Sequence, residues 1–218
     1  MSDAYIIRRL PESAGALNLG GEFFPDRIPR PWADLEEAQL DRYPWAEEYA
    51  PRCAARVGWN SSGIHVLMYA QEPLIRTLET QIGGDVCGDS CLEFFLSPAP
   101  PKKDYVNCES NPLCVMHIGV GDSRYGRRVF SEIPAGFRPT HSEHHGNWWA
   151  VSYTIPSAFL LEHFGARLTP GARMRGNFYS CGDRERRPHH GMYRAYDLPM
   201  PDFHRPELFA DLHLADHG

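Results

Sequence analysis

Two stretches of this chain combine period-two alternation with side chains that bind through directed hydrogen bonds. From Ala172 to Cys181, alternation puts Arg173, Arg175, Asn177 and Tyr179 on one side of an extended strand, and Tyr105, Asn107 and Glu109 line one side of another. The plain interpretation is a solvated outer face, which antiparallel sheets commonly present. The residue types point further. Asn, Tyr, Arg and Glu carry fixed donors and acceptors suited to reading the hydroxyls of a sugar or another polar ligand, whereas a merely wetted face would do with Lys, Thr and Ser.

The segment Ser97 to Asp104 (SPAPPKKD) separates two strand-like runs and predicts a hairpin loop. With the hairpin symmetric about Pro101, Ser97 opposes Tyr105, Phe95 opposes Asn107 and Glu93 opposes Glu109. Opposed side chains lie about 5 Å apart, so two carboxylates would share one patch and one would be driven toward its protonated form. A slip of one residue would put them on opposite faces. Arg173 or Arg175 is expected to neutralise the pair in a structural network. The alternative is glycoside hydrolysis by Glu93 and Glu109, since retaining carboxyl pairs lie about 5–5.5 Å apart.

Other residues suit metals or ring stacking. Asp183, His189, His190 and His204 form one candidate metal group, and His141, Glu143, His144 and His145 a local cluster. Neither has the H-E-x-x-H spacing of a helical zinc site. No cofactor is required; calcium through Asp85 or Asp89 is allowed for, although no EF-hand-like loop exists. Trp59 sits beside the turn Asn60-Ser61-Ser62-Gly63 and could border a cleft, while core packing is the expectation for any single Trp.

The elements that must position these groups are mostly strands. Ile64, Val66 and Met68 alternate with His65, Leu67 and Tyr69; Leu92, Phe94 and Leu96 with Cys91, Glu93 and Phe95; Cys114, Met116 and Ile118 with Val115 and His117. Further strands are expected at Arg127 to Ile133, Trp148 to Thr154 and Leu208 to Leu214, and a helix from Pro156 to Phe164 ending at Gly165. The first fifty residues look irregular, with one short helix around Asp34 to Leu40. Eight or more short strands with few helices predict an all-β antiparallel sandwich, one domain over residues 1–218 with residues 1–50 packed on it. The 19 Gly and 19 Pro among 218 residues exceed the usual share and fit a turn-rich fold.

With 22 basic against 28 acidic residues the formal charge is −6, which argues against a nucleic-acid partner. No run approaches the roughly 18–20 apolar residues of a membrane span, and the first residues lack a signal-like hydrophobic core, so a cytoplasmic location without membrane partner is expected. In that setting the six cysteines, none spaced C-x-x-C, are expected as buried thiols. There is no G-x-S-x-G elbow and no Walker loop, and GVGDSR (Gly119 to Arg124) misses the last Gly of a dinucleotide fingerprint, so an enzyme is the lesser expectation.

The stretches DSCLEFFLSP (Asp89 to Pro98), YVNCESNP (Tyr105 to Pro112), WAVSYTIP (Trp149 to Pro156), GNFYSCGD (Gly176 to Asp183) and FHRPELFADLHL (Phe203 to Leu214) together resemble carbohydrate-binding module family 9-like proteins, whose fold is the DOMON-like, jelly-roll-like β-sandwich. The resemblance implies a sugar unit or oligosaccharide end bound on one sheet face between aromatic rings, a role in carbohydrate catabolism, a glycoside hydrolase as partner, and structural calcium in some members. Carried over by position, Glu93, Tyr105, Asn107, Glu109, Asn177 and Tyr179 fall on the polar face derived above, with Arg175 beside them. The chain departs from the pattern at Cys108, where relatives carry Phe. It departs again at Met192-Tyr193-Arg194, where a Trp is usual and Tyr193 becomes the candidate stacking ring.

Overall fold

Alternation of apolar and polar residues is carried through into a sheet that curls on itself. A computed structural model describes residues 4–45, 49–142 and 147–216. Its strands are β1 (Tyr5–Arg9), β2 (Glu37–Gln39), β3 (Arg52–Asn60), β4 (Gly63–Gln71), β5 (Cys91–Ser97), β6 (Tyr105–Ser110), β7 (Met116–Gly121), β8 (Arg128–Val129), β9 (Thr140–His141), β10 (Trp148–Pro156), β11 (Arg173–Cys181), β12 (His190–Met192) and β13 (Ala210–Ala215). The helix α1 spans Ser157–Phe164. It stops at Gly165, whose left-handed φ of 67° lets its N–H cap the carbonyls of Leu160 and Leu161.

The strand order is β8-β7-β6-β5-β11-β13-β1-β3-β4-β10-β9, with β12 on β11 and β2 on β3. The two halves of this path face each other across one core. Leu92, Phe94, Leu96, Val106, Ile118 and Phe178 from one half meet Val57, Ile64, Val66, Met68, Val151 and Tyr153 from the other. The sandwich expectation therefore holds, with one change. Its pairings are not all antiparallel, because β1 lies parallel to both β13 and β3.

That strand also corrects the expectation for the first fifty residues. Tyr5 and Ile7 alternate into the core and join the two halves of the sheet. The short helix expected at Asp34 to Leu40 is instead a 3-10 turn, Trp32–Asp34, followed by the strand β2. The run expected from Arg127 to Ile133 pairs only over Arg128–Val129, and β9 was not expected.

Neither outer face of the sandwich is left bare. Leu10, Leu19, Phe23, Ile28, Trp32 and Leu35 cover Ala54, Leu67, Tyr69 and Ala150 on β3, β4 and β10. On the opposite side, Val86, Met192, Phe203 and Phe209 cover Cys91, Phe95, Tyr105, Tyr179 and Cys181. The second covering holds the functional groups.

Candidate functional site

The hairpin register is the one the loop length predicted. Glu93 pairs with Glu109 and Phe95 with Asn107 across β5 and β6, and β11 adds Tyr179 opposite Glu93 and Asn177 opposite Phe95. Glu93, Tyr105, Asn107, Glu109, Asn177 and Tyr179 accordingly share one face.

That face is not an open platform. Asn177 is fully buried; its amide donates to the Arg194 carbonyl at 2.9 Å and its oxygen accepts from the Arg194 N–H at 2.9 Å, pinning the chain beyond β12. Tyr179 is stacked on Phe203 with ring centroids 4.1 Å apart. Tyr105 places its hydroxyl 2.7 Å from His204 Nδ1. Asn107 donates to Glu109 Oε1 at 2.6 Å. Rings on a pleated face gain more from mutual burial than from water, so segment 192–209 folds down over them.

What stays accessible is a cleft at the edge of this covering. An inner cavity of about 150 Å³ is lined by Glu93, Glu109, Arg124, Asp183, His190 and His204 with Cys87, Cys181, Pro201 and Phe203. A groove of about 520 Å³ shares Cys87, Glu109, Arg124 and His204 with it and adds His117, Tyr125 and Arg127. The groove falls within the roughly 300–1,000 Å³ usual for small-molecule sites. The inner cavity is smaller, so a ligand in the groove would push one end into it. Tyr125 is 82 % exposed at the groove wall.

The two carboxyls have different surroundings. Glu93 is held well above the usual carboxylate range by burial and then by the charge of Glu109, against one sulfur contact from Cys181 at 2.8 Å. Glu109 is also raised by burial, but His117, the Asn107 amide and Arg127 pull it back. Burial and the nearby Arg124 and Arg127 lower His204 to about 3, so its imidazole is neutral at pH 7 and reads hydroxyls as a donor and acceptor. Arg124 is held by Asp202 at 2.9 Å, and Asp183 meets His190 at 2.9 Å.

Trp59 lies in the central core with Cys53, Ala55 and Val57, its indole donating to the Ala215 carbonyl at 2.8 Å, and borders no cleft. Trp59→Phe should therefore cost about 1–3 kcal/mol of stability and leave ligand affinity unchanged; calorimetric titration of the variant checks this. Tyr193 packs on the core side against Tyr5 and Phe178, at 5.8 and 5.9 Å between rings, away from the cleft. Arg175 donates to the Phe209 carbonyl at 2.6 Å and does not neutralise the glutamates, a role that falls to Arg124 and Arg127.

The metal candidates do not converge. His190, Asp183 and His204 line the cavity, but His189 is buried against Tyr49 and bonds the Arg187 carbonyl. Glu143, His144 and His145 lie outside the described residues. Asp89 and Asp85, the residues named for calcium, are engaged within the protein. Asp89 accepts from the Leu78 and Glu79 N–H groups and the Asn111 amide, and Asp85 is paired with Arg184. All six cysteines are free thiols, five of them buried.

Sequence patterns overlooked Arg124, Arg127, Tyr125, His117 and Phe203. The first three sit in the β7–β8 connection, where the run Asp122-Ser123-Arg124-Tyr125-Gly126 gives a turn signal with no alternation. His117 had a signal, since it alternates with Met116 and Ile118 and faces the same side as Glu109.

Comparisons with known proteins agree with this fold. No curated protein matches significantly. Among solved structures, a protein from Bacteroides uniformis ATCC 8492, named for an inferred carbohydrate-binding role, is similar at 27 % identity and TM-score 0.71, covering 84 % of this chain and 87 % of its own. A family 9 carbohydrate-binding module from Caldicellulosiruptor kristjanssonii, solved with cellotriose and with glucose, shares the fold at 12 % identity and TM-score 0.67. The match covers 98 % of this chain and 94 % or 97 % of that one. The model of carbohydrate-binding family 9 matches residues 31–214. Spanning most of the sandwich and both strands of the glutamate hairpin, that match shows that the chain belongs to carbohydrate-binding family 9.

Proposed function

We propose that this carbohydrate-binding protein takes a sugar unit or oligosaccharide end into the cleft between β5, β6 and segment 183–204. One observation carries the reading: Glu93, Glu109, Arg124, the Asp183–His190 pair and His204 converge on a cavity beside an exposed ring, Tyr125. Alternating donors and acceptors match vicinal hydroxyls, and an exposed ring suits the apolar face of a pyranose. The neighbouring modules solved with glucose and cellotriose support this class of ligand. Its place would be carbohydrate catabolism in a reducing cytoplasm, beside a separate glycoside hydrolase; six thiols suit that compartment.

Calorimetric titration with glucose and cellotriose tests it. Arg124→Ala should weaken binding about 10–100-fold, the loss expected for one charged hydrogen-bonding partner. Absence of heat and of thermal shift with every mono- and oligosaccharide tried would overturn the reading.

A second reading has its own observation. The cross-strand partners Glu93 and Glu109 sit in environments that hold Glu93 the more strongly protonated, which is how acid and base are separated in glycosidases. Sugar consumed over hours by the wild type but not by Glu109→Gln would favour it. Intact sugar leaves binding as the whole activity.

A further inference from the structure

Behind the cleft, β5 and β11 bring two thiols and a carboxyl to one point. Cys91 pairs directly with Cys181 across the strands, and Tyr179, two residues along β11, pairs with Glu93. Period-two alternation then turns Cys91, Glu93 and Cys181 to the same side of the sheet. Their ligand atoms all lie within 4.8 Å of one another, and Cys181 Sγ is 2.8 Å from Glu93 Oε1. Among the described residues no other group of histidine, cysteine or carboxylate side chains is gathered as closely. All three are buried, and Cys181 and Glu93 also line the cavity.

We propose that Cys91, Glu93 and Cys181 form a binding site for a thiophilic divalent cation of the zinc class, with its fourth coordination position open to the cleft. Thiolates select zinc and other soft ions over calcium and magnesium, and a carboxylate completes such sets. In a tetrahedral site with Zn–S near 2.3 Å and Zn–O of about 2.0–2.2 Å, neighbouring ligand atoms stand roughly 3.6 Å apart. The present arrangement reaches that spacing by an adjustment of about 1 Å at the ends of side chains on two rigid strands. Binding releases a proton from each thiol, together with that of Glu93 where it is protonated, and no electron transfer is involved. Two thiolates and a carboxylate leave the centre net negative with a divalent ion. Arg124, whose guanidinium acts on Glu93 electrostatically, offsets that charge from the cavity side.

The site shares Glu93 and Cys181 with the cavity, but Cys91 does not line the cleft, so a change at Cys91 separates it from the sugar reading. Reduced, chelator-stripped protein should be titrated with Co²⁺ as a spectroscopic probe and then with Zn²⁺. The expected result is a thiolate-to-cobalt charge-transfer band that saturates at one ion per chain and is displaced by Zn²⁺. Cys91→Ser and Cys181→Ser should each remove most of the band. Cys108→Ser, which alters a thiol buried in the central core, should keep it. Glucose titration of Cys91→Ser should match wild type, so the two sites fail separately. A wild type without the band would overturn the proposal whatever the variants do. A band that survives both Cys91→Ser and Cys181→Ser, or a Cys91–Cys181 disulfide whose reduced form binds no cobalt, would overturn it equally.

Discussion

Phe95→Ala is expected to lose about 3–5 kcal/mol of folding stability and, with it, sugar binding in the protein that remains folded. Phe95 is 1 % exposed and stands at the centre of the covered face. Its ring stacks on Tyr105 at 5.7 Å, meets Tyr179 edge-on at 5.2 Å and Phe209 at 6.3 Å, and lies 5.0 Å from His204. Removing it opens a void beneath the segment that carries Phe203 and His204, two walls of the cavity. The matched control is Phe178→Ala on the opposite face of the sheet. Phe178 is equally buried, stacked on Phe94 at 4.7 Å with Tyr5 edge-on at 5.3 Å, and should cost a similar amount. It touches nothing in the cleft, so its folded fraction should bind glucose as wild type does. Urea unfolding gives the two stabilities and calorimetry the two affinities. Equal affinities in the two variants would mean that segment 192–209 keeps its place without Phe95, and that the cleft is not held from below. Phe95→Leu and Phe178→Leu offer the same comparison at lower cost should either alanine variant fail to fold.

This dependence on a covering segment explains what was legible in the sequence. The face itself was legible. Two strands with period-two alternation and a short proline-rich connection fixed Glu93 against Glu109 and turned Asn177 and Tyr179 to the same side. Trp59 was legible too, because Val57 and Ala55 show by the same alternation that it points into the core. Its neighbouring turn was the misleading signal. The covering was not legible. Phe203, His204 and Phe209 belong to irregular chain, and their docking is decided by rings a hundred residues away, such as Tyr105. Arg124 lies in a turn with no periodicity, and only the fold brings it to Glu93. The strand β1 was hidden for a related reason. A five-residue parallel strand finds its partners, β13 and β3, from the far end of the chain and from beyond a long connection.

Stability should fall between pH 6.5 and 8, and Glu72→Gln should flatten part of that fall. Glu72 is fully buried, and burial, reinforced by the charge of Glu185, raises its carboxyl to about 8. Ser90 Oγ lies 2.6 Å from Glu72 Oε2 and also touches Glu185 Oε1. One hydroxyl hydrogen serves one carboxylate, so a proton held on Glu72 relieves the other contact. Between the unfolded value of 4.5 and about 8, the folded chain holds a proton that the unfolded chain releases. Stability from this group therefore drops as pH rises through that interval. The buried histidines act oppositely. Burial lowers His65 and His189 to about 4 and His204 to about 3, against 6.5 unfolded. Below pH 6.5 the unfolded chain takes up protons that the folded one refuses, and stability falls as pH falls. The two trends oppose each other from 4.5 to 6.5. Above 6.5 the histidines fall progressively silent and the carboxyls dominate the slope. A full proton difference over that last interval amounts to about 2 kcal/mol. Glu93 and Glu109, raised by the same burial, add in the same direction, so Glu72→Gln lessens the slope without abolishing it. Urea midpoints at several pH values between 5 and 8.5 measure the profile. A wild type equally stable at pH 6.5 and 8, or a variant with the wild-type slope, would show that the Glu72 pocket gives up its proton as readily folded as unfolded.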